Sequence, residues 1–261
     1  MRQPFGGMGK SAFGPGAKAG GPNYVATLVD FEEAEQISLE PSTGKLHAPE
    51  LQRFADRLDR SSRLLMELPR YDALDIQRLR FAMHSYDFFA KEEILVEHDN
   101  FRLIGQDNHR RYLPASPMRV RISPTDSIFS IVASTLAAIS VGCRCIVSYP
   151  EAMPDKTIDV LEHLTLDWAG KVEFLPESDE ELVDAIKHGF VKRLRYLGTD
   201  DIPEAIRREA NAQQVYIATR PVSVHGCVEL LLYVMEQSIS FDYHRYGNLG
   251  PRASETRADT L

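Results

Sequence analysis

Cysteine is scarce in this sequence, and long apolar runs are missing. Three cysteines in 261 residues are too few, and odd in number, for a disulfide framework, so we expect a reducing, cytoplasmic setting. No stretch reaches the roughly 18 consecutive apolar residues that a membrane-spanning helix needs. The opening MRQPFGGMGK has no apolar core and so is not a secretory signal.

Positive charge is also in short supply. The chain carries 30 basic and 38 acidic side chains, which gives a formal net charge of −8. That balance argues against a nucleic-acid binder that depends on bulk positive charge. With 43% hydrophobic and 26% charged residues, the composition is that of an ordinary globular protein, long enough to bury a core in one or two domains.

Glycine is concentrated at the start of the chain. Seven of the 16 glycines fall in residues 1–21, which predicts an irregular loop. The YVATLVDF run at 24–31 then predicts a β-strand. No neighbouring strand precedes it, so we interpret residues 1–30 as the end of a domain whose body lies elsewhere. Because a lone strand has too few partners, we expect this segment to pack poorly in the isolated chain.

Residues 31–104 predict a helical connector. Apolar residues follow helical spacing from Leu51 to Leu65, and a second helix is expected after Pro69, with Asp72 as its N-cap. Apolar side chains then recur every seven residues at Leu74, Phe81, Phe88 and Leu95. A repeat this short favours a packed helix pair over a coiled coil.

Residues 105–250 contain strands that alternate with helices. The expected strands are 118–122, 143–149, 171–175, 193–198, 215–219 and 238–243, and the expected helices are 126–141, 156–167, 179–188, 203–212 and 224–237. This order predicts an α/β fold, a doubly wound, mostly parallel Rossmann-like sheet with right-handed crossovers. Residues 251–261 are expected to form a mobile tail.

Two turns occupy positions or carry residues that suggest a nucleotide-binding loop. GGMGKS at 6–11 places Lys10 and Ser11 as a phosphate loop would, but the first glycine of that pattern is replaced by Pro4 and no strand precedes it. The turn Ser123–Asp126 stands where a dinucleotide fold carries its glycines, and it has none. We therefore interpret Asp126 as a helix N-cap and expect no pyrophosphate there.

The three cysteines do not form a reactive or metal-binding set. Cys143 and Cys145 are two apart on an expected strand and so point to opposite faces. Cys227 begins an expected helix, where a thiol could be acidified. A small buried hydrophobe is the favoured interpretation for each of them.

Histidine and arginine give no stronger signal. His109, His225 and His244 stand in loop-like sequence, and structural or surface roles are favoured over metal ligation. Arg110 and Arg111 could form an anion patch, although a solvated loop or an ion pair is the simpler interpretation. No catalytic residue and no metal ligand is predicted.

The glycine-rich segment resembles a known family. RQPFGGMGKSAFGPGAKAGGPNYVATL at 2–28 looks like the end of the catalytic domain of aldehyde dehydrogenases, and KAGGPNY at 18–24 resembles the branch that oxidises L-glutamate γ-semialdehyde, the Δ1-pyrroline-5-carboxylate dehydrogenases. In that branch this segment is the aldehyde anchor loop. The resemblance implies that the backbone N–H groups of Gly20 and Gly21 bind the substrate carboxylate.

The rest of the chain resembles the extra C-terminal domain of long proline utilization A proteins. The supporting stretches are GQDNHRRYLP at 105–114, the unit at 119–148 and HGCVELLLYVMEQSISFDYHRYGNLG at 225–250. In that family the domain is a degenerate aldehyde dehydrogenase fold without catalytic residues, and it covers the active region. The implied domains are a catalytic-domain remnant with its last strand at 1–30, a connector at 31–104, a noncatalytic Rossmann-like domain at 105–250 and a tail at 251–261.

The resemblance implies a part of an NAD-dependent dehydrogenase of proline catabolism. The family's nucleophilic cysteine, its glutamate and its NAD fold precede the matching segment, so this chain alone is expected to bind no cofactor and to be inactive. The remainder of the dehydrogenase, in the same or another chain, is the expected partner, and a homo-oligomer is left open.

Two alternatives stay open. One is a freestanding lid or assembly module that docks onto a separately encoded dehydrogenase. The other is a nucleotide-binding regulator that uses the α/β sheet, which the glycine-free turn at 123–126 disfavours.

Overall fold

The computed structural model describes residues 3–8, 14–31, 44–72, 74–197 and 202–257. Lys10 and Ser11 lie outside these ranges. The helices are α1 (Pro49–Met66), α2 (Asp75–Phe89), α3 (Ile128–Ser140), α4 (Asp155–Thr165), α5 (Asp179–Lys187), α6 (Glu204–Gln213) and α7 (Gly226–Glu229). The strands are β1 (Gln106–Pro114), β2 (Met118–Arg121), β3 (Cys145–Tyr149), β4 (Val172–Pro176), β5 (Arg193–Tyr196), β6 (Tyr216–Ala218) and β7 (Val234–Asp242).

Five strands form a parallel sheet in the order β4-β3-β2-β5-β6. The chain steps outward from β2 to β4 and then crosses back to β5 and β6, which is the strand order of a doubly wound nucleotide-binding fold. Each neighbouring pair is parallel, and every connection along the chain from β2 to β6 passes through a helix. The predicted α/β class with a mostly parallel Rossmann-like sheet is confirmed.

Helices cover both faces of this sheet. Its strands carry buried apolar side chains and also four buried arginines, Arg119, Arg121, Arg193 and Arg195. One core contains the apolar residues of α3 and α4, and α1 and α2 pack onto it; the second core lies under α5 and α6. α3 is buried over nearly its whole surface. Its N-cap is Ser127, whose Oγ accepts the Ser130 N–H at 3.0 Å, so the expectation that Asp126 caps this helix is wrong.

The helical connector forms a packed pair, as expected. Asp87 on α2 caps the start of α1, because its carboxylate accepts the His47 N–H at 2.6 Å and the Ala48 N–H at 2.9 Å. Asp72 does not cap α2, which begins at Asp75. The seven-residue series proves to be the outer side of the helix: Leu74, Phe88 and Leu95 are exposed, and Phe81 is half-buried.

Two expected elements are wrong. The predicted strand at Tyr24–Phe31 is instead a 3-10 helix over Tyr24–Thr27 followed by a bend. The predicted helix at 224–237 ends early, since α7 gives way to a 3-10 turn at Leu230–Tyr233 and then to β7. The segment resembling a catalytic-domain remnant therefore carries no last strand in this structure.

An antiparallel ribbon of β1 and β7 stands apart from the parallel sheet. Its register runs from Gln106 opposite Asp242 to Pro114 opposite Val234. β1 was not predicted, because its QDNHRRYLP sequence is polar and lacks apolar alternation. The strand expected at 238–243 was assigned to the parallel sheet. Instead, β7 pairs with β1, which lies about 130 residues earlier in the chain.

The described part of the predicted tail, residues 251–257, contacts β1, and its mobility stays a prediction. Arg252 and Arg257 bind Asp107 on β1 from both sides, and the Arg252 guanidinium lies 3.7 Å from the centroid of the Tyr243 ring. Glu255 accepts hydrogen bonds from both arginines.

Among the helices of the described ranges, none combines the length and the apolar character that spanning a membrane requires.

Candidate functional site

The segment that resembles an anchor loop is folded back on itself. The Phe5 N–H donates to the Ala19 carbonyl at 2.9 Å, which ties the two arms of the loop together. The Lys18 ammonium donates to the carbonyls of Gly6 at 2.8 Å and Gly7 at 2.6 Å. Lys18 is buried, and this burial lowers the pKa of its amine. It therefore holds the backbone of the glycine-rich arm in place.

This segment also packs against the ribbon. The Gln3 amide donates to the Ile239 carbonyl on β7 at 2.8 Å, and the Glu236 N–H donates to the Gly16 carbonyl at 2.9 Å. At Tyr24–Thr27 no residue is buried, and Val25, Leu28 and Val29 are exposed, as expected of poor packing. For the glycine-rich arms, the expectation that residues 1–30 pack poorly is wrong. The physical reason is that the ribbon offers an unpaired edge, which the glycine-rich backbone satisfies.

Gly20 and Gly21, the residues implied to bind a carboxylate, lie together in one turn. The Gly21 N–H donates to the Lys18 carbonyl at 2.9 Å and closes the turn. Gly20 has a φ of +83°, a conformation that favours glycine. The Gly20 N–H donates to no acceptor among the described residues. One of the two amides is thus used within the loop, and carboxylate binding stays a prediction.

A buried carboxylate from the ribbon meets the loop. Glu236 on β7 is 1% exposed, and its Oε2 accepts the Lys18 N–H at 2.8 Å. A Cβ on Gly21 would lie 2.5 Å from Glu236 Oε1, so only glycine fits there. Burial raises the pKa of the Glu236 carboxyl. Sequence reasoning missed Glu236, although a lone acid following the apolar run LLLYVM was a signal of a buried, paired carboxylate.

A polar network supports the next residues of the loop. The Asn23 amide donates to the Tyr112 hydroxyl at 2.5 Å. Arg110 donates to the same hydroxyl at 2.6 Å and to Glu93 Oε1 at 2.7 Å, and the hydroxyl donates to Glu93 at 3.1 Å. Burial raises the pKa of Tyr112, so the hydroxyl stays neutral and can donate. Arg110 is a buried strand residue in an ion pair, not part of an anion patch or a solvated loop.

The remaining candidates have structural surroundings. Arg111 donates to Gln237 across the ribbon at 2.7 Å. His109 lies on β1 rather than in a loop, and its ring is 2.7 Å from Glu97. His225 packs edge-on against Phe81, and the His244 ring contacts the Gly105 carbonyl at 2.9 Å. The described residues hold no group of three or more side chains that could bind a metal ion.

The cysteines are not activated. Burial raises the pKa of Cys143 to about 12 and that of Cys145 further still. Cys143 and Cys145 are buried, as expected, but Cys227 is exposed, so the expectation of a buried hydrophobe is wrong there. Partial desolvation raises the pKa of Cys227, so the helix start does not acidify this thiol. α7 is a helix of only four residues, which gives it little dipole. A thiol, and not a thiolate, is therefore the stable form at each position near neutral pH.

The charged side chain at the carboxyl end of β2 is already paired. Arg121 donates to Ser148 at 3.0 Å and to Asp179 at 2.7 Å. Asp126 Oδ2 accepts the Ser123 N–H at 2.7 Å, which closes the turn where a dinucleotide fold would bind a pyrophosphate. The prediction that this chain binds no nucleotide by itself stays a prediction.

One further buried pair joins the sheet to α7. Arg195 on β5 is 0% exposed and donates to Glu229 on α7 at 3.1 Å. The Tyr233 hydroxyl, just before β7, donates to the same carboxylate oxygen at 2.9 Å. α7 also packs closely against α2. A Cβ on Gly226 would lie only 2.6 Å from the Ser85 carbonyl oxygen. The conspicuous HGCVE sequence thus serves packing.

No protein-family model matches the sequence, and neither does any curated protein. Among solved structures, proline utilization A (PutA) from Corynebacterium freiburgense matches with a TM-score of 0.58 and 25% identity, over 94% of this chain and 19% of that one. Succinic semialdehyde dehydrogenase from Streptococcus pyogenes, solved in complex with NADP+, matches with a TM-score of 0.55 and 13% identity, over 64% of this chain and 39% of that one.

A betaine aldehyde dehydrogenase from Staphylococcus aureus, solved in complex with NAD+, matches with a TM-score of 0.53 and 14% identity, over 66% of this chain and 37% of that one. The chain thus spans less than two fifths of each of these three structures. Its five-stranded parallel sheet and covering helices are the feature that it shares with them. The chain therefore has the Rossmann-like α/β fold of the aldehyde dehydrogenase superfamily.

Proposed function

We propose that this chain is the C-terminal part of an NAD-dependent L-glutamate γ-semialdehyde dehydrogenase of the proline utilization A type. The observation that carries the proposal is the match to C. freiburgense PutA over 94% of this chain, whereas the two dehydrogenases match about two thirds of it. The match thus extends well beyond the share that these two dehydrogenases cover. The KAGGPNY loop is the second support.

The substrate carboxylate would bind at the turn of Gly20 and Gly21. The Gly20 N–H is free of acceptors among the described residues, and no Cβ obstructs an approaching anion. The Gly21 N–H donates to the Lys18 carbonyl in this structure, so the Gly20 N–H is the donor left for an anion. A hydrogen bond from an amide to a carboxylate is strengthened by the charge of the carboxylate.

The oxidation itself would take place on polypeptide outside this chain. Aldehyde oxidation of this type needs a thiolate, and the three thiols here have raised pKa values and no positioned base. NAD, held by the rest of the enzyme, would supply the hydride acceptor. This chain contributes the carboxylate anchor and a cover that excludes water from the reacting groups.

The cover role is supported by an apolar surface next to the loop. Val25 and Leu28 on the 3-10 helix are 65% and 71% exposed. A groove of about 320 Å³ beside them is lined by Pro22, Phe88 and Phe89. Exposed apolar surface of this kind marks a contact with another protein surface. The same observation favours the second candidate, a freestanding lid or assembly module that docks onto a separately encoded dehydrogenase.

A chimeric enzyme tests the proposal. We expect that C. freiburgense PutA without its matching fifth does not oxidise Δ1-pyrroline-5-carboxylate, and that fusing this chain in its place restores NAD reduction. The purified chain alone should reduce no NAD with that substrate. Restoration on mixing rather than on fusion would favour the docking module. Activity of the chain alone, or a fused enzyme no better than the shortened one, would contradict the proposal.

A further inference from the structure

Glu236 has a feature that the fold alone does not require. Its Oε1 is buried and has no hydrogen-bond partner among the described residues, while its Oε2 accepts the Lys18 N–H. Burying a carboxylate with one free oxygen destabilises a fold, and an apolar residue would fill a strand position at lower cost. The unpaired oxygen lies against Gly21, in the turn that carries the proposed anchor.

We propose that Glu236 is a positioning residue that sets the geometry of the anchor loop, an inference that rests on the proposed function. The carboxylate fixes the Lys18 N–H on one side of the turn and contacts the Cα of Gly21 on the other. Between these two points the chain closes its turn through the Lys18 carbonyl and the Gly21 N–H, 2.9 Å apart. The direction of the Gly20 amide is thereby determined from outside the loop.

The ribbon makes this arrangement rigid. The Glu236 backbone N–H donates to the Gly16 carbonyl, and its side chain accepts the Lys18 N–H. One residue of the ribbon thus binds the loop at two points before the turn. Arg110 and Lys18 provide the positive charges that face the carboxylate, and Glu93 faces it with a negative one. A loop held by backbone contacts from a paired strand keeps its amides within the narrow range that anion binding needs.

The Glu236 side chain orders the loop without taking up the Gly20 amide. Its oxygens contact Lys18 and Gly21, whereas the Gly20 N–H is not among their donors. Glu236 therefore touches no substrate atom in this scheme. It acts through the loop, and its loss should change substrate binding before it changes the chemical step.

Hydrogen exchange at single amides tests the inference in the full chain. E236L removes the acceptor of the Lys18 N–H, and we expect that amide to exchange at least about tenfold faster, since a charge-assisted hydrogen bond is lost. E236Q keeps a neutral acceptor, so its Lys18 amide should exchange at a rate between those of wild type and E236L. Q237A, the neighbouring β7 residue on the other face, is the matched control. The Val120 amide in the sheet reports any global loss of stability.

If E236L does not fold, G21A reaches the same contact from the other side. Its Cβ would lie 2.5 Å from Glu236 Oε1, so the loop and the carboxylate must separate. We expect G21A to speed Lys18 exchange as E236L does, and the G21A/E236Q pair to be less than additive because both act on one contact. Lys18 exchange that matches wild type in E236L, or in G21A where E236L fails, overturns the inference.

Kinetics of the chimeric enzyme separate positioning from a structural role. In E236L we expect the KM for Δ1-pyrroline-5-carboxylate to rise about tenfold, with the KM for NAD and the kcat within about twofold of wild type, and E236Q to recover part of the loss. A fall in kcat alone overturns the inference. A wild-type chimera without activity contradicts the proposed function instead, and the exchange rates then decide the role of Glu236.

Discussion

The parallel sheet and the β1–β7 ribbon are held together by different forces. The sheet is held mainly by two apolar cores, with α3 buried over nearly its whole surface, and its strands also carry buried arginines such as Arg195. The ribbon is tied to its surroundings by polar groups, such as the Arg110–Glu93 pair and the two arginines on Asp107. Apolar burial is not directional, whereas these polar contacts need a specific partner at a specific distance. The two regions should therefore respond differently to the same kind of perturbation.

The largest effect is expected in the sheet region. Phe129 on α3 is 0% exposed, and the Arg78 guanidinium lies 3.8 Å from its ring centroid. F129A should lower the free energy of unfolding by about 3–5 kcal/mol, because it removes a large apolar side chain and leaves a cavity. Urea denaturation measures this loss. F190A is the matched control, since Phe190 is 70% exposed. Equal losses in the two variants would show that α3 is not the central core element.

A smaller effect is expected where the two regions meet. G226A places a Cβ 2.6 Å from the Ser85 carbonyl oxygen, so α7 must move away from α2. We expect a loss of about 1–3 kcal/mol from overpacking. G170A is a useful comparison, because its Cβ would have nothing within 4 Å and only its φ of +81° is unfavourable. If G226A is no less stable than G170A, the approach of α7 to α2 is looser than the structure has it.

The smallest effect concerns the ribbon and depends on pH. Hydrogen bonds from Arg252 and then Arg257 lower the pKa of Asp107 to about 2. Since the folded pKa is below the unfolded value of about 3.9, the contribution is complete above about pH 4 and is lost as the pH falls through about 2. The Asp107 side chain is 20% exposed and that of Arg252 is 38% exposed, so solvent screens the pair and we expect D107N to cost about 1 kcal/mol near neutral pH.

Unfolding at pH 6 and pH 3 measures this contribution. D107N should be less stable than wild type at pH 6, and the difference should shrink at pH 3. D242N is the control, because Asp242 accepts only the Gln106 amide among described residues. A difference that stays constant with pH would mean that the arginine clasp does not depend on the charge of Asp107.

Patterns in the sequence were sufficient for the sheet and not for the ribbon. The strands at Met118–Arg121 and Arg193–Tyr196 and the helices between them follow local periodicity, so they could be predicted from short windows. The apolar run LLLYV at 230–234 predicts a helix, but it forms a 3-10 turn that ends at Tyr233, and β7 begins at Val234 and pairs with β1. The 3-10 helix at Tyr24–Thr27 shows the opposite error, because strand-forming residues found no strand beside them.

The candidate site divides in the same way. The glycine-rich loop, with Gly20 and Gly21 in one turn, was foreseen because glycine density is a local property. Glu236, Tyr112 and Glu93 were missed, since each lies at least about 70 residues from the loop residue it contacts. Nothing in a short stretch of sequence specifies such a partner.

By itself the sequence determined the α/β class, the order of strands and helices across the sheet, and the absence of an activated thiol motif. Only the tertiary structure decided that an early glycine loop rests on a ribbon formed by the two ends of the Rossmann-like region, with a buried carboxylate against its turn. The physical reason is range: periodic burial acts between neighbours along the chain, whereas a hydrogen bond between distant residues exists only after the chain has folded.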